Sequence, residues 1–225
     1  MIITIDIETL PCNDPDLLAE IIAAVKPPGR MTKHETIAKW DAEERPQAEA
    51  DAIAKTSLDG TYGRVAVIGW AIDDGEPSAI VSADEGSLIE TVYAEIARAI
   101  NPLDGHSHSA TFVGHNITGF DFPFLRKRSY IHGIKPPPEL YGALLAKSWS
   151  PLVADTMLMW DSDREKRISL DRLCRVLSIP SPKADGIDGS KVAELFQAGK
   201  YDELGAYCCA DVEATRRCYR AMTFS

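Results

Sequence analysis

One acid in the last helical stretch restricts what this chain can fold into. From residue 203 to 222 the side chains Leu204, Cys208, Val212, Thr215, Tyr219 and Met222 recur at helical spacing and form a largely apolar sector. At about 100° per residue, Asp211 lies roughly 20° from Leu204, inside that sector, while Glu213, Arg216, Arg217 and Arg220 fall on the opposite side. A carboxylate facing a core without compensation costs several kcal/mol. The fold must therefore bring a basic group or a metal ion to Asp211. Tyr207, one turn earlier, borders the same sector, where its hydroxyl can meet that carboxylate.

The opening strand, residues 1–8, poses the same problem. Ile3, Ile5 and Ile7 alternate with Thr4, Asp6 and Glu8, so both acids leave one face. Two accounts fit: the solvated face of an edge strand, or half of a metal site. A third acid, Asp121, follows the apolar strand 110–114 inside Gly114-His115-Asn116-Ile117-Thr118-Gly119-Phe120-Asp121, where a helix is expected from Asn116 to Gly133. Asp121 near a helix N-terminus and Asn116 as a cap is the plain account of that segment. If the three elements are neighbours, four acids converge. At about 5 Å and an effective dielectric near 20, each ionised pair costs roughly 3 kcal/mol. Divalent cations with oxygen ligands remove that cost, and Mg²⁺ suits a site poor in His and Cys.

The other elements expected are a hairpin of 64–72 and 78–82, helices at 87–100, 169–177 (capped by Ser169), 189–198 and 203–222 (capped by Asp202), and a strand at 152–155. Residues 14–63, Ala-rich and broken at Pro27-Pro28-Gly29, are expected as two helical pieces inserted into one α/β domain spanning 1–225. A net charge of −10 argues against a broad basic coat for duplex DNA. No run of 18 apolar residues and no basic flank at the start point to a cytoplasmic chain without membrane association. The five cysteines include no Cys-x-x-Cys pair and are expected as reduced thiols.

The motifs resemble those of the DEDD 3′-to-5′ exonucleases. Asp6-Ile7-Glu8 is similar to their first motif, Asn116-x-x-x-Phe120-Asp121 to the second, and Tyr207-x-x-x-Asp211 to the third in its tyrosine form; Ala206 stands where the histidine form would need its histidine. HNITGFDFPFLRKR and YCCADVEATRR resemble the exonuclease domain of family B DNA polymerases and its stand-alone bacterial or phage relatives. The resemblance implies a ribonuclease H-like fold, a mixed central sheet flanked by helices. It also implies two divalent ions, Mg²⁺ or Mn²⁺, and a nucleic-acid partner with a free 3′ end, single-stranded DNA foremost. Carried over, it makes Asp6 the carboxylate bridging both ions, puts Glu8 and Asp211 on the ion that activates water, gives Asp121 the second ion, and has Tyr207 orient the water. Only residues 212–225 follow Asp211, so no polymerase domain is expected here. An exoribonuclease and an inert binding module are the competing functions.

Around that set, Asn116 and Phe120 are candidate substrate contacts, with Phe120 available to stack on a base. Lys183 and Lys191, with Arg164, Lys166 and Arg167, are candidates for phosphate contacts. Asp155 is either a fifth acid near the ions or a helix cap. Arg126-Lys127-Arg128 reads as a solvated face before a phosphate grip, and His106 and His108 as surface residues.

Overall fold

The computed structural model describes residues 1–102, 108–162, 167–181 and 189–225. Strands β1 (Ile2–Leu10), β2 (Arg64–Ile72), β3 (Ser78–Val81), β4 (Thr111–Gly114) and β5 (Val153–Asp155) form a sheet in the order β3-β2-β1-β4-β5. β1 and β5 both run parallel to β4, and β2 and β3 make the expected antiparallel hairpin. The Asp73 amide donates to the Ile2 carbonyl at 2.8 Å, so the end of β2 meets the start of β1 and these two run antiparallel. The sheet is mixed and the class is α/β, as expected. β1 is the third of the five strands, which excludes the edge-strand account of Asp6 and Glu8.

Ile3, Ile5 and Ile7 are buried with Ile68 and Trp70 of β2, with Leu88, Ile89 and Val92 of helix α4 (Glu85–Ile100), and with Phe122 and Leu125 of helix α5 (Asp121–His132). The opposite face takes the last helix, α10 (Tyr201–Thr223), so helices cover both sides. Short helices α6 (Pro138–Leu144), α7 (Thr156–Trp160), α8 (Leu170–Val176) and α9 (Val192–Gln197) complete this part. Ser169 caps α8 as expected, accepting from the Arg172 amide at 3.3 Å.

Two helix starts differ from expectation. Residues 116–120 form a turn, with the Gly119 and Phe120 amides both donating to the Asn116 carbonyl at 2.9 Å, and α5 begins only at Asp121. Asn116 adopts a left-handed φ of 62° and is not the cap. In α10, Asp202 sits in the first turn instead of at the cap, where its charge still favours the helix N-terminus.

An ion network around the buried Glu85 fixes α5 to α4. Arg128 forks onto Glu85 at 2.9 and 2.6 Å, His132 reaches the same carboxylate at 2.7 Å, and the Val65 amide donates to it at 2.6 Å. Arg126 donates to the Leu144 carbonyl at 3.2 Å. Both arginines of the basic triplet are thus committed to packing α5. Arg216, expected on the outer side of α10, is buried and donates to the Asp73 and Gly75 carbonyls of the β2–β3 turn at 3.0 and 2.6 Å. A long guanidinium satisfies turn carbonyls that a shorter side chain would leave bare.

The chain divides into two compact units, Met1–Glu8 with Val65–Ser225, and Thr9–Arg64. The second holds three helices, α1 (Pro15–Ala24), α2 (His34–Glu43) and α3 (Arg45–Lys55), where two pieces were expected. Pro46 explains the extra break: it belongs in a first turn, where its missing N–H costs nothing, and so starts α3 afresh. Asp14 caps α1 through the amides of Asp16 and Leu17. Among the described residues no helix is long and apolar enough to cross a membrane, and the five cysteines carry free thiols.

Candidate metal centre

Asp6 and Glu8 lie late in β1 on the face that receives α10, and Asp211 reaches them from that helix. One ligand oxygen from each of the three lies within 4.8 Å of the others. The register of α10 follows from its two anchors: the Cys208 thiol donates to the Asp6 carbonyl and carboxylate at 3.7 and 3.6 Å, and Arg216 holds the turn beside the start of β1. The helix therefore runs antiparallel to β1, from Cys208 at Asp6 to Arg216 beside the strand's start.

Gly69 permits this approach. A Cβ there would stand 2.6 Å from the Cys208 sulfur and 3.1 Å from Val212 Cγ2, so α10 would have to move. A glycine within the β-branched run RVAVIGWAI marks such a close contact, and the sequence reasoning passed over it. Gly69→Ala is expected to destabilise the protein by about 1–3 kcal/mol through overpacking. Thermal melting of Gly69→Ala alone and combined with Cys208→Ala checks this: the second substitution, which removes the sulfur, should recover part of the loss.

Asp121 stands outside the 4.8 Å group and adjoins it through the backbone. It is 3% exposed, and its Oδ1 accepts the Ile7 amide, between Asp6 and Glu8, at 3.2 Å. Burial, opposed by hydrogen bonds from backbone amides and reinforced by the charges of Asp155 and Asp211, pushes Asp121 up to about 7. Desolvation first, then Asp121, Asp211 and Glu8, push Asp6 well above the usual carboxylate range, against a smaller lowering by the Cys208 thiol. Every charge named in these causes is negative. Four hard oxygen donors, two of them raised by the charges of the others, fit a divalent cation of the Mg²⁺ or Mn²⁺ class.

The folded protein holds the Asp121 proton up to about pH 7, whereas the unfolded chain releases it near 3.8. Between those values the folded state binds more protons, so stability falls as pH rises through the window. Without metal, the melting temperature is expected to be higher at pH 5 than at pH 8. Mn²⁺ should flatten the dependence, because the ion takes the place of the protons. Melting curves in EDTA and in Mn²⁺ at four pH values check both slopes.

Tyr207, buried one turn before Asp211, hydrogen-bonds to that carboxylate. Burial foremost, then the charges of Asp211 and Glu8, raise its phenol above its ordinary value. The hydroxyl stays protonated, donates to Asp211 and keeps an oxygen lone pair for a further donor.

Asp155 is the residue whose importance the sequence left open. It is buried, and Oδ1 accepts the amides of Asn116 at 2.9 Å and Met157 at 3.2 Å. Oδ2 accepts the Thr118 amide at 3.1 Å and hydroxyl at 2.7 Å. It is thus both the cap of α7 and the anchor of the turn that delivers Asp121. His115 bridges the same region, from the Thr156 hydroxyl at 3.0 Å to the Ile168 carbonyl at 2.9 Å. The remaining sequence candidates are dispersed. The Asn116 backbone belongs to the anchored turn. Phe120 is half-buried against Phe124, their rings 5.6 Å apart. Lys191 is exposed and caps α9, Arg167 and His108 are exposed, and Lys183, Arg164, Lys166 and His106 lie outside the described residues.

With this geometry in view, residues 152–224, about a third of the chain, match a protein family described as a predicted 3′-5′ exonuclease related to the exonuclease domain of PolB. That stretch carries Asp155, Tyr207 and Asp211. Among solved structures, the chain is similar to the family B DNA polymerase of the hyperthermophilic archaeon Pyrobaculum calidifontis, at 17% sequence identity and a TM-score of 0.56, over 99% of this chain and 24% of the polymerase. The chain thus spans about a quarter of that polymerase's length. At this identity the likeness establishes the shared fold, a mixed sheet flanked by helices. No curated protein matches the chain.

Proposed function

We propose that this protein is a metal-dependent 3′-to-5′ exonuclease that hydrolyses DNA, prefers single-stranded ends and releases nucleoside monophosphates. The observation that carries this is the convergence of Asp6, Glu8 and Asp211 within 4.8 Å, past the stretch of β1 that pairs in parallel with β4. Asp121 against Ile7 and Tyr207 against Asp211 extend it. The family match over 152–224 supports the direction of attack.

Divalent ions bound by these carboxylates would supply Lewis-acid activation of water and charge stabilisation at the departing 3′ oxygen. Asp6 would hold both ions, with Glu8 and Asp211 holding one and Asp121 the other. Tyr207 orients the attacking water by accepting from it, while its own proton is held by Asp211. A phenol raised above its usual value is a poor general base, so its contribution is positional. The terminal nucleotide must enter far enough to set its phosphate against the acids, which a free end does and an internal duplex segment does not. Fraying a paired end costs a few kcal/mol, hence the preference for single strands.

The test compares a 5′-labelled linear single strand, the same strand ending in a 3′-phosphate, its blunt duplex, and a closed single-stranded circle, each with Mg²⁺, Mn²⁺ or EDTA. The expected results are a descending ladder from the linear strand, slower loss of the duplex, inhibition by the 3′-phosphate and an intact circle. Efficient cutting of the circle would make the enzyme an endonuclease and overturn the proposal.

A further inference from the structure

The chain's four tryptophans divide by exposure. Trp40 and Trp70 are buried, whereas Trp149 is 83% and Trp160 43% exposed. The exposed pair flanks β5: Trp149 precedes the strand and Trp160 ends α7, which follows it. Trp149 borders a cleft of about 390 Å³ lined also by Ser150, Val153, Asp155 and Met159 among others. That size suits one base-sized ligand. β5 is the terminal strand on its side of the sheet, so the cleft follows a strand edge, from the loop before β5 to Asp155 at its carboxyl end.

Asp155 makes this position significant. Asp155, at the end of the cleft, holds through its side chain the turn leading to Asp121 and acts electrostatically on that acid, so this end of the cleft lies toward the candidate metal centre. A strand with its terminal phosphate against the acids must run away from them along some surface. Here that surface offers an indole face, which stacks on any base, and three serines, Ser148, Ser150 and Ser162. The exposed Lys147 beside Trp149 supplies a cation for a backbone phosphate. A polypeptide adding to this edge would find only the three residues of β5 to pair with, too few for a stable ladder. We infer that the cleft along β5 binds the unpaired nucleotides upstream of the terminal one, with Trp149 stacking on a base. This inference rests on the exonuclease proposal for its direction, and its binding arm is independent of hydrolysis.

The test uses 5′-fluorescein oligothymidylate of ten nucleotides and an Asp6→Asn background, so that binding is read without cleavage. Anisotropy gives the Kd, and quenching of tryptophan emission reports contact with an indole. Trp149→Ala is expected to weaken binding about tenfold and to remove most of the quenching, while Trp149→Phe keeps affinity within about twofold. Phe224→Ala, at a 97% exposed aromatic on the far end of α10, serves as control and should change neither. In the active protein, Trp149→Ala should raise KM for the ten-nucleotide substrate with little change in kcat, and lessen its advantage over a dinucleotide. An unchanged Kd in Trp149→Ala, or no binding of the oligonucleotide at all, overturns the inference and leaves the edge open to a polypeptide partner. Trp149-dependent binding in a protein that hydrolyses nothing would sustain the cleft and sink the exonuclease proposal instead.

Discussion

Asp6→Asn and Asp211→Asn are each expected to lower the rate of hydrolysis by about a thousandfold or more, with melting temperatures in EDTA equal to or above that of the unaltered protein. The loss corresponds to about 4 kcal/mol of transition-state stabilisation, within what a misassembled ion site forfeits. The stability expectation comes from the electrostatics. Asp6 is raised by burial and by Asp121, Asp211 and Glu8, so a neutral amide of the same shape relieves repulsion in the metal-free state. Tyr207→Phe should be milder, about a hundredfold in kcat, since it removes an orienting group and leaves the ligands in place. Steady-state kinetics paired with melting in EDTA read all three. A large fall in melting temperature for both asparagine variants would mean that the acids hold the fold together and are not held in tension by it.

Asp155→Ala is expected to behave in the opposite way, melting about 10 °C lower even in EDTA. The substitution strands the amides of Asn116, Thr118 and Met157 and the Thr118 hydroxyl, four donors that one buried carboxylate now satisfies. Each unsatisfied buried donor costs about 1–3 kcal/mol, and with partial relaxation a total of about 3 kcal/mol is a moderate figure. For a chain of this length that translates to about 2–4 °C per kcal/mol. Activity should fall as well, because the freed turn no longer delivers Asp121. Asp155→Asn should recover part of the stability, its remaining oxygen still accepting one or two of these bonds. Comparing Asp155→Ala with Asp211→Asn by calorimetry thus separates an acid that supports the site from one that belongs to it.

The difference between those two acids marks how far the sequence could be read. Asp211 was legible because a helix has a strict period: an acid roughly 20° from Leu204 has only one place to point. Asp6 and Glu8 were legible as a pair by strand alternation, but whether β1 was central or an edge depends on parallel pairing with β4, more than a hundred residues away, which local pattern does not encode. The turn at 116–120 departs from the helix that its sequence predicts for a similar reason. Its residues are compatible with a helix, and it is Asp155, 39 residues on, that captures the Asn116 amide and holds the chain open until Asp121. Arg128 and Arg216 looked like surface cations because their partners, Glu85 and the β2–β3 turn carbonyls, come from distant segments. The glycine at 69 did carry a local signal, a break in a β-branched run, whose meaning depended on knowing that α10 lies over it.

The central claim is that these acids form a binding site for divalent ions, and calorimetric titration of Mn²⁺ into the metal-free protein tests it most directly. Titrations at pH 7 with and without a nucleoside monophosphate, alongside Asp6→Asn and Asp211→Asn, should show saturable binding to the unaltered protein, tighter with the nucleotide present and lost or greatly weakened in both variants. Proton release on binding is expected, since Asp121 sits at about 7 before the ion arrives. Ions bound to the folded state alone should also raise the melting temperature, by about 2.7 kcal/mol of stability at a hundredfold excess over Kd. Absence of measurable Mn²⁺ or Mg²⁺ binding under both conditions, or equal binding to Asp6→Asn and Asp211→Asn, would contradict the account.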